Sequence, residues 1–168
     1  MDTTETTHAH STEDPQDSPD PVLKLPGCGE NLGAIGLGIM LRLTGEDTDG
    51  AYSLFEYIVP AGLGGPPTHI HEFQDELFTC SAGEIVVELD GVARTLTPGA
   101  SMLLPRKVPH VFYNRSDQEA RIIAVVSPPG LERYYRELSQ LPPGPRDMAK
   151  IVEVMKRHGL SLAPRADA

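Results

Sequence analysis

The first 20 residues contain no lysine or arginine, and no apolar run anywhere in the 168-residue chain approaches the ~18 residues that a membrane span needs. The N-terminus has neither a basic segment nor an apolar segment behind it, so a secretory leader is not expected. Basic residues are scarce throughout: 14 Lys and Arg stand against 24 Asp and Glu, for a net charge of −10. A chain without a basic patch makes a poor partner for nucleic acid or for an anionic membrane, and neither is expected. Cysteine is nearly absent too. Cys28 and Cys80 do not form a Cys-x-x-Cys pair, which excludes zinc-finger and thioredoxin motifs. With nothing pointing to secretion, the thiols are expected to be reduced and the protein cytoplasmic.

Glycine and proline are plentiful, at 16 each. That suits many short strands joined by tight turns. Residues 1–21 hold almost no bulky apolar side chain, and their six acids supply −6 of the net charge. Such a segment cannot offset the entropy of ordering and is expected to be disordered. From Val22 the pattern changes to strand-like runs: 35–43, 51–59, 76–80, 84–89, VARTL, SMLLP, HVFYN and ARIIAVVS. Asp90-Gly91 is a hairpin signal and Pro98-Gly99 a further turn. Eight to ten short strands at near-regular spacing argue for an antiparallel sandwich or barrel, and no internal repeat suggests a second one. The expected fold class is all-β, an antiparallel sandwich or barrel over 22–128, followed at 129–168 by an extension with two helices. In 130–140, Leu131, Tyr134, Tyr135 and Leu138 fall at helical spacing, as do Met148, Ile151, Val152 and Met155 in 147–158. Asp147 marks a start and Gly159 a stop. These helices are expected on the outside of the barrel, with the Tyr and Met stripes as docking surface.

Residues 69–78 read HIHEFQDELF. On a strand, His69 and His71 share a face. Glu76 opens the next strand and can reach the same interior. Imidazoles with a carboxylate suit Zn, Fe, Ni, Mn or Cu and suit Ca or Mg poorly. His110, at the start of a strand with Phe112 and Asn114 on the same side, is a candidate fourth ligand. Spacing alone proves little, because His8 and His10 repeat it in the tail without a carboxylate-bearing strand beside them. Glu72 and Asp75 are read as solvent-facing or supporting groups, and Arg106 and Lys107 as a solvated turn. Phe78, Cys80, Leu104 and Phe112 are expected to line a substrate pocket, by alternation from the ligands.

The chain resembles the cupin superfamily over residues 50–127. The first cupin motif strings together a glycine, a loop, His-x-His, a glutamate and a closing glycine; here these are Gly64, residues 65–68, His69 and His71, Glu76 and Gly83. The second joins a glycine, a Pro-x-Gly turn, a histidine and an asparagine; here these are Gly99, Pro105-Arg106-Lys107, His110 and Asn114. The opening loop is one residue shorter than usual, and Lys107 stands where the motif has glycine, which demands an unusual turn or some strain.

The resemblance implies a jelly-roll holding one divalent transition metal per chain (Fe, Ni, Mn, Co, Cu or Zn) on His69, His71, Glu76 and His110. The competing reading is a degenerate cupin with hydrogen-bonded core histidines. A glutamate buried among three histidines counts against it, because without a cation that burial is costly. Within the superfamily the chain is similar to the quercetinase-like branch, through Asp75-Glu76-Leu77-Phe78 and the VSPPGLERYYREL tail. That implies a dioxygenase of an enolic or aromatic small molecule, with Glu76 as ligand and catalytic base, its pKa raised by an apolar pocket. Small cupins also include polyketide cyclases and isomerases, in which the metal polarises a carbonyl, and non-enzymatic binding modules. A homodimer is expected, with 22–43 as the edge element, because an uncovered strand edge is a liability.

Overall fold

The computed structural model describes residues 21–142 and 147–164. The expected disordered tail and the His8/His10 pair lie outside the described residues, apart from Pro21. Eleven strands and two helices follow in the order β1 Glu30–Asn31, β2 Gly38–Leu43, β3 Ser53–Val59, β4 His69–His71, β5 Asp75–Ala82, β6 Ile85–Leu89, β7 Val92–Leu96, β8 Ser101–Leu104, β9 His110–Tyr113, β10 Ala120–Ser127, α1 Leu131–Ser139, α2 Met148–Arg157 and β11 Leu160–Leu162. All strand pairings are antiparallel, in one sheet ordered β1-β2-β3-β10-β5-β8 and a second ordered β11-β4-β9-β6-β7. This is the jelly roll that the resemblance implied, with eleven strands where eight to ten were expected.

Alternation decides which side chains enter the space between the sheets. In β3, Ser53, Phe55, Tyr57 and Val59 are buried and their neighbours are not. In β10 the inward set is Ala120, Ile122, Ala124 and Val126. The middle of the core is aromatic. Tyr57 stacks on Phe112 at 5.8 Å and 4°, and Phe78 meets both edge-on at 5.8 and 5.4 Å. Asp90 and Gly91 both take positive φ, 48° and 76°, the geometry of the two-residue β6–β7 hairpin. Gly83, at φ 66°, lets the β5–β6 turn approach β10 so closely that a Cβ would lie 2.4 Å from the Glu119 carbonyl oxygen.

The helices dock through the expected stripes: Leu131, Tyr134, Tyr135 and Leu138 are buried, as are Ile151 and Met155. Tyr134, Tyr135, Ile151 and Met155 turn inward and wall a cavity shared with His69 and Glu76. The physical reason is polar as well as apolar. Glu132, in the first turn of α1, accepts from Ser53 Oγ at 2.7 Å and from the Gly130 N–H at 2.8 Å, and so draws the helix onto β3. Asp147 caps α2, accepting from the Lys150 N–H. After Gly159 the chain adds β11, which was not anticipated. It pairs with β4 so that Leu160 stands opposite His71 and Leu162 opposite His69.

Candidate metal centre

β4 is three residues long, and its outer two are the histidines of the His-x-His pair, both buried, with Ile70 between them facing the other way. The strand is held on both sides. β9 brings His110 opposite His69, and β11 covers the other edge. Lys107, in the turn before β9, takes φ 66° and donates its N–H to the His71 carbonyl at 2.8 Å. The motif's missing glycine is therefore a lysine in the left-handed region, and its Nζ pairs with Glu72 at 3.1 Å. Gly65, at φ 77°, packs against β9 where a Cβ would lie 1.8 Å from the Phe112 carbonyl oxygen. Gly64 has open space at the same test, so the close approach belongs to Gly65.

The ligand nitrogens of His69, His71 and His110 lie within 4.8 Å of one another. Glu76 adjoins two of them, with Oε2 3.2 Å from His110 Nε2 and 3.6 Å from His71 Nε2. His69 Nδ1 faces the Pro67 carbonyl at 2.9 Å, and His110 Nδ1 faces the Val108 carbonyl at 3.1 Å. A carbonyl only accepts, so each Nδ1 carries the hydrogen and leaves the Nε2 lone pair free for the centre. Burial, then the neighbouring His110 and His71, push His69 down to about 3, and burial also lowers His71. These two rings are neutral at physiological pH, as metal donors must be. His110 Nε2 is buried without a hydrogen-bond partner among the described residues. A cation fits this donor set: it supplies a partner for the orphaned nitrogen and balances the buried carboxylate.

Glu76 departs from the sequence expectation in one respect. Burial does push its carboxyl up, but the adjoining rings of His71, His110 and His69 outweigh that and hold it at about 2. The expected rise in an apolar pocket fails because the pocket is not apolar on that side.

The cavity beside His69 and Glu76 has a volume of about 30 Å³. Its other walls are apolar, with Phe112 from β9, Pro66 and Pro67 from the loop before β4, and the inward side chains of the two helices. That is room for water-sized molecules and less than a ring requires.

Residues 55–126 match the family model of the Cupin domain. Residues 55–126, from β3 to β10, are a cupin domain. This cupin is 37% identical over 60 residues to Protein SchB of Streptomyces halstedii, across 36% of the chain and 44% of SchB. It is 50% identical over 34 residues to the "Probable oxidoreductase patJ" of Aspergillus clavatus, across 20% of the chain and 10% of that protein. The chain thus spans less than half the length of these curated relatives. Among solved structures, a recombinant oxalate oxidase in complex with glycolate matches with a TM-score of 0.55 at 20% identity, across 74% of this chain and 70% of the other. At that identity the likeness is one of fold.

The other predicted site residues divide. Phe112 lies on the cavity wall. Phe78, Cys80 and Leu104 do not line it; all three are fully buried in the core. They alternate inward as expected, yet deeper between the sheets, with Phe78 wedged against Tyr57 and Phe112. The Cys80 thiol is pushed up by burial and donates weakly to the Ala82 and Gly83 carbonyls, the opposite of an activated nucleophile. Asn114 shares the buried side of β9 but clamps a turn. Its Nδ2 donates to the Val59 and Gln118 carbonyls, and its Oδ1 accepts from Ser116. Asp75 pairs with Arg106 at the surface. Sequence reasoning missed the cavity role of Tyr134, Tyr135, Ile151 and Met155. Their helical stripe was visible, but a stripe states that one face is buried and not what it covers.

Proposed function

We propose that this cupin is a metal-dependent dioxygenase of a small enolic or aromatic molecule, with one divalent transition metal per chain on His69, His71, His110 and Glu76. The observation that carries the reading is the convergence of three buried histidines beside an ionised carboxylate, opening onto an apolar cavity. A metal bound there supplies Lewis acidity toward an enol oxygen and, when redox-active, an electron path to O₂. The residues do the rest. The Pro67 and Val108 carbonyls fix the ring orientations of His69 and His110. Glu76, anionic at neutral pH, accepts the hydrogen of a substrate hydroxyl. The apolar walls keep out water that would compete for the same acceptors.

A ring enters only if one wall yields, and α2 is the wall that can. α1 is tied to the barrel by Glu132 and by the Arg136–Glu30 ion pair. Among the described residues, the ion pairs from α2 and its C-cap to another element run to α1, from Arg157 and His158 to Glu137, and Met155 presents a long, adaptable side chain to the cavity. A homodimer belongs to the same reading: β1 and β2, within 22–43, stand at one edge of the six-stranded sheet.

The test is elemental analysis of tag-free protein beside a His71→Ala/His110→Ala control, followed by oxygen-electrode assays with flavonols. Near-stoichiometric Fe, Ni, Mn, Co or Cu that vanishes in the control, with oxygen uptake, is the expected result. Zinc without oxygen uptake would replace the dioxygenase with a cyclase or isomerase. No metal after reconstitution would leave a binding module.

A further inference from the structure

Tyr57 and Tyr135 meet inside the molecule. Tyr57 stands on β3, fully buried, Tyr135 stands on α1, and their hydroxyl oxygens are 3.1 Å apart. Two phenols carry two O–H hydrogens, and the bond between them uses one. Among the described residues neither hydroxyl makes another hydrogen bond, so one buried O–H lacks an acceptor. If Tyr135 donates to Tyr57, the spare hydrogen remains on a side chain enclosed by Phe55, Phe78, Phe112 and Tyr135. If Tyr57 donates, the spare hydrogen is on Tyr135, which lines the cavity together with His69 and Glu76. Only the second arrangement offers that hydrogen a partner, and the bond received from Tyr57 makes Tyr135 a stronger donor. Burial, then the Glu76 carboxylate, push Tyr135 well above the ordinary phenol range, and burial does the same to Tyr57, so both keep their hydrogens. The anchors of α1 hold Tyr135 in place while the α2 side of the cavity adapts.

The geometry points to Tyr135 as the hydrogen-bond donor that receives a substrate oxygen in the cavity, with Tyr57 as the positioning residue behind it. The substrate class is an enolic or aromatic hydroxy compound whose second oxygen, adjacent to the one held at the histidines, accepts this bond. The inference rests on the metal-enzyme reading of the site.

The experiment uses full-length, metal-loaded protein and two probes: 4-nitrocatechol, with adjacent oxygens and a visible band sensitive to its protonation, and azide, which needs only an open metal position. Tyr135→Phe is expected to keep its metal content and to bind azide within twofold of wild type. It should bind 4-nitrocatechol at least tenfold more weakly, with a shifted band. Tyr57→Phe should lose about threefold on 4-nitrocatechol alone, and it decides the matter should Tyr135→Phe not fold. Unchanged 4-nitrocatechol affinity and band in the folded variants would overturn the role of Tyr135 and leave the metal reading standing. Wild type that takes up no metal, or binds neither probe, would overturn the metal reading and this inference with it.

Discussion

His69 carries the burden of staying neutral in a buried place. Its unfolded value is near 6.5 and its folded value about 3. Between the two the unfolded chain binds a proton that the folded chain does not. Stability is therefore complete above about pH 6.5 and is lost as pH falls toward 3. From pH 6.5 to 5 one such ring accounts for about 2 kcal/mol. Carboxylates whose folded values are lowered, such as Glu76 and Asp75, act only below their unfolded values, so a comparison of pH 7 with pH 5 isolates the histidines. Urea unfolding of metal-free protein at these two pH values should show the loss, and His69→Gln should shrink it; an equal loss in the variant would contradict the assignment. Glu76→Gln tests the carboxylate, with metal retention expected to fall at least tenfold and turnover to vanish. Retention of both would remove Glu76 from the site. The histidines and Glu76 were legible from spacing and motif because alternation along a strand fixes a shared face. The direction of the Glu76 shift was not legible, since it depends on three rings that arrive from two different strands.

At the scale of elements, β4, which carries His69 and His71, is paired along one edge with β11, a strand of three residues. It covers the edge of β4, and Glu72 donates its N–H to the Gly159 carbonyl at 2.8 Å, fastening the start of β11 to the end of β4. Leu160 is buried opposite His71 and also lines the cavity. Leu160→Ala should cost about 2–5 kcal/mol in chemical unfolding, and it should weaken metal retention through β4 although it removes no ligand. Loss of stability with unaltered metal affinity would mean that β4 holds its histidines without β11. The two helices were anticipated from their apolar periodicity to within a residue or two of α1 and α2. β11 was not, because three residues are too few for a period to register.

For the whole molecule, a metal that binds only the folded chain stabilises it by mass action. Chelation should lower the melting temperature of wild type and leave His71→Ala/His110→Ala unmoved. An equal response in both would place the metal elsewhere. Light scattering on tag-free protein should give about twice 18.2 kDa if the proposed homodimer forms, and the monomer mass would end that proposal.

The antiparallel sandwich or barrel, the three histidines and the two helices were present in the linear chain, because each follows from a local rule of alternation, turn chemistry or motif spacing. The inward face of the helices, the exclusion of Phe78, Cys80 and Leu104 from the cavity, the depressed Glu76 and the pairing of Tyr57 with Tyr135 emerged only when the chain closed on itself. Residues 78 positions apart came into hydrogen-bond contact there. A local pattern records that a side chain is buried, and three-dimensional packing chooses what it is buried against.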